Sequence, residues 1–123
     1  MRYLTDRKRA MGKGSAGSGT EHHWFMQISA VGLAILVPIF VIALGRAIGG
    51  SYLEVRSFFA HPFVAITAAL TLFVGMRHFA AGATMMIEDY AHGTLRKALI
   101  ITAVSLSYLV ITTGLFALIR LAL

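Results

Sequence analysis

The sequence contains no cysteine. That excludes a disulfide framework, a thiolate metal site, an iron–sulfur cluster held by this chain and a cysteine nucleophile. Charge is scarce too: 13% of the 123 residues are charged, against about 25% in an ordinary soluble domain. So little charge cannot coat a globule of this size, and a soluble single domain is close to excluded. The net charge of +6 invites a nucleic-acid reading. However, five of the eleven Lys and Arg residues sit in the first thirteen positions, which is an end effect rather than a basic face. No nucleic-acid partner is expected. What the chain has in abundance is apolar residues, at 58%, with a mean hydropathy of +0.78. Its length admits two to four membrane-spanning helices and little else.

Residues 1–23 form a polar, basic N-terminal tail whose Gly/Ser stretch has no apolar periodicity and reads as flexible. The first apolar run starts only at Trp24, later than in a secretory signal, and is long enough to stay in the membrane. Residues 24–123 read as a three-helix membrane anchor domain, with spans at about 24–47, 62–87 and 98–123. Each exceeds the roughly 20 helical residues needed to cross a hydrocarbon core about 30 Å thick. Pro38 should kink the first span rather than end it, because lipid offers the backbone no alternative partners. Pro62 sits where a helix start tolerates a missing N–H. Gly49-Gly50 reads as a helix stop. The tail and second loop carry seven Lys and Arg (Arg2, Arg7, Lys8, Arg9, Lys13, Arg96, Lys97), against three on the other side (Arg46, Arg56, Arg120). The positive-inside rule therefore puts the N-terminus and second loop in the cytoplasm.

Two glycine patterns carry little. Gly12, Gly14 and Gly17 spell GxGxxG, but in a basic tail rather than after a strand. Gly45 and Gly49 spell GxxxG at a helix end, where a stop signal is the simpler reading. The informative segment is TLFVGMRHFAAGATMMIEDYAHG in the second span. An ionisable residue within a membrane helix is a functional hypothesis by default, and a neutral imidazole can bind metal. At 100° per residue, Thr71, Gly75, His78, Gly82, Met85 and Asp89 fall within an arc of about 80°. Two readings fit. In one, the glycines let another helix approach and His78 bonds across that interface. In the other, His78 is an axial haem ligand and Gly75 and Gly82 make room for the porphyrin. None of the other histidines (His22, His23, His61, His92) sits at the depth of His78, so a second ligand would come from a partner. Asp89 lies about 16 Å from His78 along the helix axis. Beside it, Tyr90 is placed either as part of a solvated cap or as a donor to the carbonyl of a membrane-dissolved substrate.

Taken together, these residues resemble the hydrophobic anchor subunits of succinate dehydrogenase. The resemblance rests on His78 followed eleven residues later by Asp89-Tyr90, with Gly82 between, and on SGTEHHWFMQISAV at the opening of the first span. It covers about residues 17–97. It implies an all-α protein with three transmembrane helices, part of a multi-subunit haem-binding bundle in a bacterial inner membrane. It further implies His78 as one axial ligand of haem b, Tyr90 as a donor to ubiquinone and Asp89 as support for that site. The implied partners are a second anchor subunit, an iron–sulfur subunit and a flavoprotein. By this resemblance the chain is non-catalytic alone and passes electrons from iron–sulfur clusters to quinone within the complex. Where the family often has an arginine near the haem propionates, this chain has Gln27. Arg77 either takes over that charge compensation, pairs with a partner's acid or snorkels. Two rival readings stay open: a b-type cytochrome anchor of another quinone-linked oxidoreductase such as fumarate reductase, and a haem-free structural or assembly protein.

Overall fold

The computed structural model describes residues 4–12, 14 and 19–123. They form five helices and no strand: α1 (Asp6–Met11), α2 (Gly19–Ala47), α3 (Tyr52–Phe59), α4 (Pro62–Tyr90) and α5 (Gly93–Ala122). Three of these, α2, α4 and α5, are long and apolar enough to cross a membrane. The chain is an all-α, multi-pass membrane protein.

The helices follow from simple backbone arithmetic. In hydrocarbon every N–H and C=O must be satisfied within the segment, so apolar runs of this length become helix regardless of local propensity. That is why α2 runs unbroken through Pro38. Each long helix also extends past its apolar run. α2 begins at Gly19 rather than at Trp24, α4 continues to Tyr90, and α5 begins at Gly93. Once nucleated, a helix adds polar residues at the interface at little cost, so hydropathy marks the hydrocarbon boundary rather than the helix end. Two residues, Ala91 and His92, remain between α4 and α5. Gly93 at φ +63° makes the reversal, and Arg96 bonds Glu88 across it at 2.9 Å.

The tail contains the short helix α1, opened by Thr5, whose hydroxyl accepts from the Lys8 N–H. Most of the Gly/Ser stretch read as flexible, including Gly17 of the GxGxxG pattern, lies outside the described residues. The first loop contains α3, which the apolar pattern does not announce. Ser51 and Glu54 cap it reciprocally: the Ser51 hydroxyl accepts from the Glu54 N–H at 3.4 Å, and the Glu54 carboxylate accepts from the Ser51 N–H at 2.7 Å. Phe59 at its end is buried.

α4 is the central helix, packed on α2 along one flank and α5 along the other. The buried residues of α4 and α5 are mostly small, Thr67, Ala68 and Ala80 on α4 and Ser107 on α5, and Ala68 and Leu72 lie against Gly114, Ala117 and Leu118 of α5. Leu72 leans into the space a side chain at Gly114 would need, 2.5 Å from the position of its Cβ. Close backbone approach of this kind is how helices hold together where lipid is as apolar as leucine. The outer faces stay exposed and apolar, with Ile28, Val31 and Ile35 on α2 and Leu109 and Phe116 on α5. Those surfaces suit lipid or neighbouring helices.

Candidate functional site

The site sits at the α2–α4 seam. Three steps of an antiparallel register define it. Met26 of α2 meets Gly82 of α4, Ser29 meets His78, and Leu33 meets Gly75. A Cβ added at Gly82 would lie 3.7 Å from the Met26 thioether methyl, and one added at Gly75 would lie 3.7 Å from a Leu33 methyl. The glycine stripe of α4 therefore faces α2 of the same chain. Gly82, expected to give a flat cofactor its approach, is covered here by the Met26 side chain.

Between the glycines, the Ser29 hydroxyl lies 2.8 Å from Nδ1 of His78. Ser29 is buried, and its Oγ is also 2.6 Å from the Phe25 carbonyl and 3.1 Å from that of Met26. A hydroxyl has one proton. Since only the hydroxyl can donate to a carbonyl, that proton goes to α2's own backbone. The lone pairs of Oγ are then left for His78, so the His78 Nδ1–H donates to Ser29. Nδ1 then carries a proton, and in the neutral form of the ring that leaves the unshared pair on Nε2. Nε2 makes no hydrogen bond among the described residues, nor is it sealed in. A second partner that fixes ring orientation and leaves Nε2 basic is the arrangement metal-ligating histidines use. The residues present therefore fit an imidazole-ligated iron. Among the described residues, no group of three or more His, Asp or Glu side chains forms a self-contained metal site.

Arg77, next to His78, turns to the adjacent flank of α4. Its Nη1 donates to the Tyr108 hydroxyl at 2.8 Å, and the guanidinium lies over the Phe25 and Tyr108 rings at 5.8 and 5.7 Å from their centroids. Gln27 lies on the opposite face of α2 from Ser29 and is exposed, in a shallow groove with His23, Trp24 and Ile28. Asp89 and Tyr90 end α4, both exposed, Tyr90 at 84%. The structure thus joins His78 to Ser29, holds Asp89 and Tyr90 about three turns away, and brings neither of these to the histidine.

Ser29 lies in the SGTEHHWFMQISAV segment that carries the resemblance, but nothing local pairs it with His78, and Tyr108, one phenol in the third span, escapes a reading by motif. The signal for Tyr108 is Arg77 itself, whose donors need acceptors within the membrane.

The family model for the succinate dehydrogenase/fumarate reductase transmembrane subunit matches residues 1–116. The chain belongs to this family. A curated relative from Paracoccus denitrificans, the succinate dehydrogenase hydrophobic membrane anchor subunit, is 48% identical over 123 residues, spanning 100% of this chain and 95% of the relative. No solved structure matches the chain.

Proposed function

We propose that this chain is the hydrophobic membrane anchor subunit of a bacterial succinate dehydrogenase, set in the inner membrane with its N-terminus in the cytoplasm. Its partners are a second anchor subunit, an iron–sulfur subunit and a flavoprotein. Its place in the tricarboxylic acid cycle and respiratory chain is the membrane end, where electrons taken from succinate reach ubiquinone. The 48% identity to a succinate dehydrogenase anchor favours this direction over the fumarate reductase also covered by the family.

The observation that carries the reading is the bond between His78 and Ser29. It leaves Nε2 without a hydrogen-bond partner within a membrane bundle, ready to serve as one axial ligand of haem b. The second ligand comes from the companion anchor. Haem b supplies a one-electron carrier held within the bilayer. Ser29 keeps the proton on Nδ1, and the α2–α4 seam stops the ring from rotating. Met26, a flexible thioether, covers Gly82 and is the side chain that would have to yield if a porphyrin were to approach there. At the end of α4, Tyr90 donates a hydrogen bond to a ubiquinone carbonyl oxygen. Asp89 supports that site together with a cation of the companion subunit. The exposure of both on this chain leaves them free for a surface that a partner completes.

The same bond also fits a haem-free protein in which His78 only joins two helices. Spectroscopy of the purified complex separates the two. Wild type should show a reduced-minus-oxidised b-type spectrum, and His78→Leu should lose it while the subunits still co-purify. A colourless wild-type complex would sink the haem reading.

A further inference from the structure

Charges at helix ends usually follow the helix dipole, with acids at the start and cations at the finish. The junction of α4 and α5 is built the other way. α4 ends on Glu88 and Asp89 and has no basic residue in its last turn. α5 opens with no acidic residue in its first turn, and Arg96 and Lys97 follow. Each of these charges works against the dipole of its own helix. Departures of this kind from local preference gather where a chain serves a site rather than its own stability.

Two of the four charges are joined. Arg96 Nη2 donates to Glu88 Oε1 at 2.9 Å, across the reversal at Ala91 and His92, with both side chains half-buried. Asp89, the next residue, makes no hydrogen bond and no ion pair among the described residues. Successive side chains on a helix point about 100° apart, so a guanidinium that reaches Glu88 from α5 is turned away from Asp89. The last carbonyls of a helix have no partners within it, which makes the final turn of α4 the part most free to fray, and both Asp89 and Tyr90 lie there. His92 adds no side-chain cap on the α5 side. We propose that Arg96 and Glu88 are positioning residues for the quinone site. Their bond pins the final turn of α4 to α5, so that Tyr90 keeps one place for the carbonyl oxygen. By occupying Glu88, Arg96 also leaves Asp89 as the carboxylate offered to a partner's cation. The inference rests on the quinone role proposed above for Tyr90, and neither Arg96 nor Glu88 touches quinone.

The test uses the complex as it co-purifies and separates KM from kcat for reduction of a short-chain ubiquinone analogue. An exposed ion pair shifts an equilibrium by up to about fivefold. Glu88→Gln and Arg96→Gln should each raise KM by about two- to fivefold and leave kcat near wild type. The exchange Glu88→Arg with Arg96→Glu rebuilds the bond with each charge now suited to its dipole, and should return KM to the wild-type value. Glu88→Gln removes a charge that opposes the α4 dipole, so its Tm should stay near wild type while KM rises. Wild-type KM in both single variants, a raised KM that the exchange does not restore, or a KM that rises only where Tm falls would each overturn the proposal. Tyr90→Phe, measured alongside, tells the two failures apart. If it changes nothing, the quinone role falls and the positioning role with it. If it slows reduction while the single variants at 88 and 96 do nothing, the positioning role alone is lost.

Discussion

One proton on Ser29 decides what His78 has to offer. With that proton on the Phe25 carbonyl, the serine only accepts, and the imidazole is held as its Nδ1–H form. Ser29→Ala removes the acceptor and leaves a buried N–H without a partner, at a cost of about 1–3 kcal/mol. Loss of an outer partner of a metal-bound histidine typically weakens the site about 10–100-fold. Ser29→Ala should therefore lower haem occupancy under mild chelating or delipidating washes, whereas Ser29→Thr, which keeps the hydroxyl, should hold it near wild type. Equal occupancy in all three would mean that the tautomer is set elsewhere. Tyr90 offers a second test at this scale. Tyr90→Phe removes one hydroxyl from an exposed side chain, so quinone reduction should fall while the b-type spectrum stays intact. An unchanged rate would remove Tyr90 from the site. His78 was legible in the sequence because an ionisable side chain in a membrane span needs a reason. The bond to Ser29 was not, although Ser29 stood in the segment quoted at the opening of the first span, because it depends on how α2 aligns with α4 and a local pattern carries no information about that alignment.

Among the elements, the three long helices were legible from hydropathy and α3 was not. Eight residues with Glu54 and Arg56 among them look like loop until the cap is considered. Ser51 followed by Glu54 is the sequence signature of a capping box, and it is the signal that was there to be used. The cap also gives α3 a pH dependence. The Ser51 hydroxyl, and then the Ser51 N–H, bond the Glu54 carboxylate and hold its pKa below the ordinary 4.5. A carboxyl with a lowered folded pKa contributes stability above its unfolded pKa and loses it as pH falls through the folded value. Wild type should thus protect the first-turn amides of α3 better than Glu54→Gln at neutral pH. The difference should vanish in acid, below the carboxylate range. Hydrogen exchange corrected for intrinsic rates measures this, and a gap independent of pH would show that the cap does not depend on the ionised form. The ends of α2, α4 and α5 were illegible for a different reason. Helix continues past the hydrocarbon wherever nothing stops it, as Gly19 to His23 and Glu88 to Tyr90 do.

For the molecule as a whole, α4 holds α2 on one flank and α5 on the other, and wide apolar faces remain open. A bundle this thin seals neither the free nitrogen of His78 nor the exposed Tyr90, which is consistent with an anchor whose sites are completed by neighbours. The proposed orientation rests on charge that lies almost entirely outside the helical cores. Five cations crowd the tail, and Arg96 and Lys97 lie just beyond the α4–α5 turn, on the same side. Translocating the short, strongly basic tail would run against the positive-inside bias. Because the chain has no cysteine, single introduced thiols report sidedness without background. Ser57→Cys on α3 and Ala10→Cys on α1 both replace exposed residues. In intact spheroplasts a membrane-impermeant maleimide should label the cysteine at 57 and spare the one at 10, which should become reactive only after lysis. The inverse pattern would place Asp89 and Tyr90 on the outer face. They would then be on the opposite side of the membrane from the cytoplasmic subunits proposed to deliver electrons, and the quinone role proposed for them would fail with the orientation.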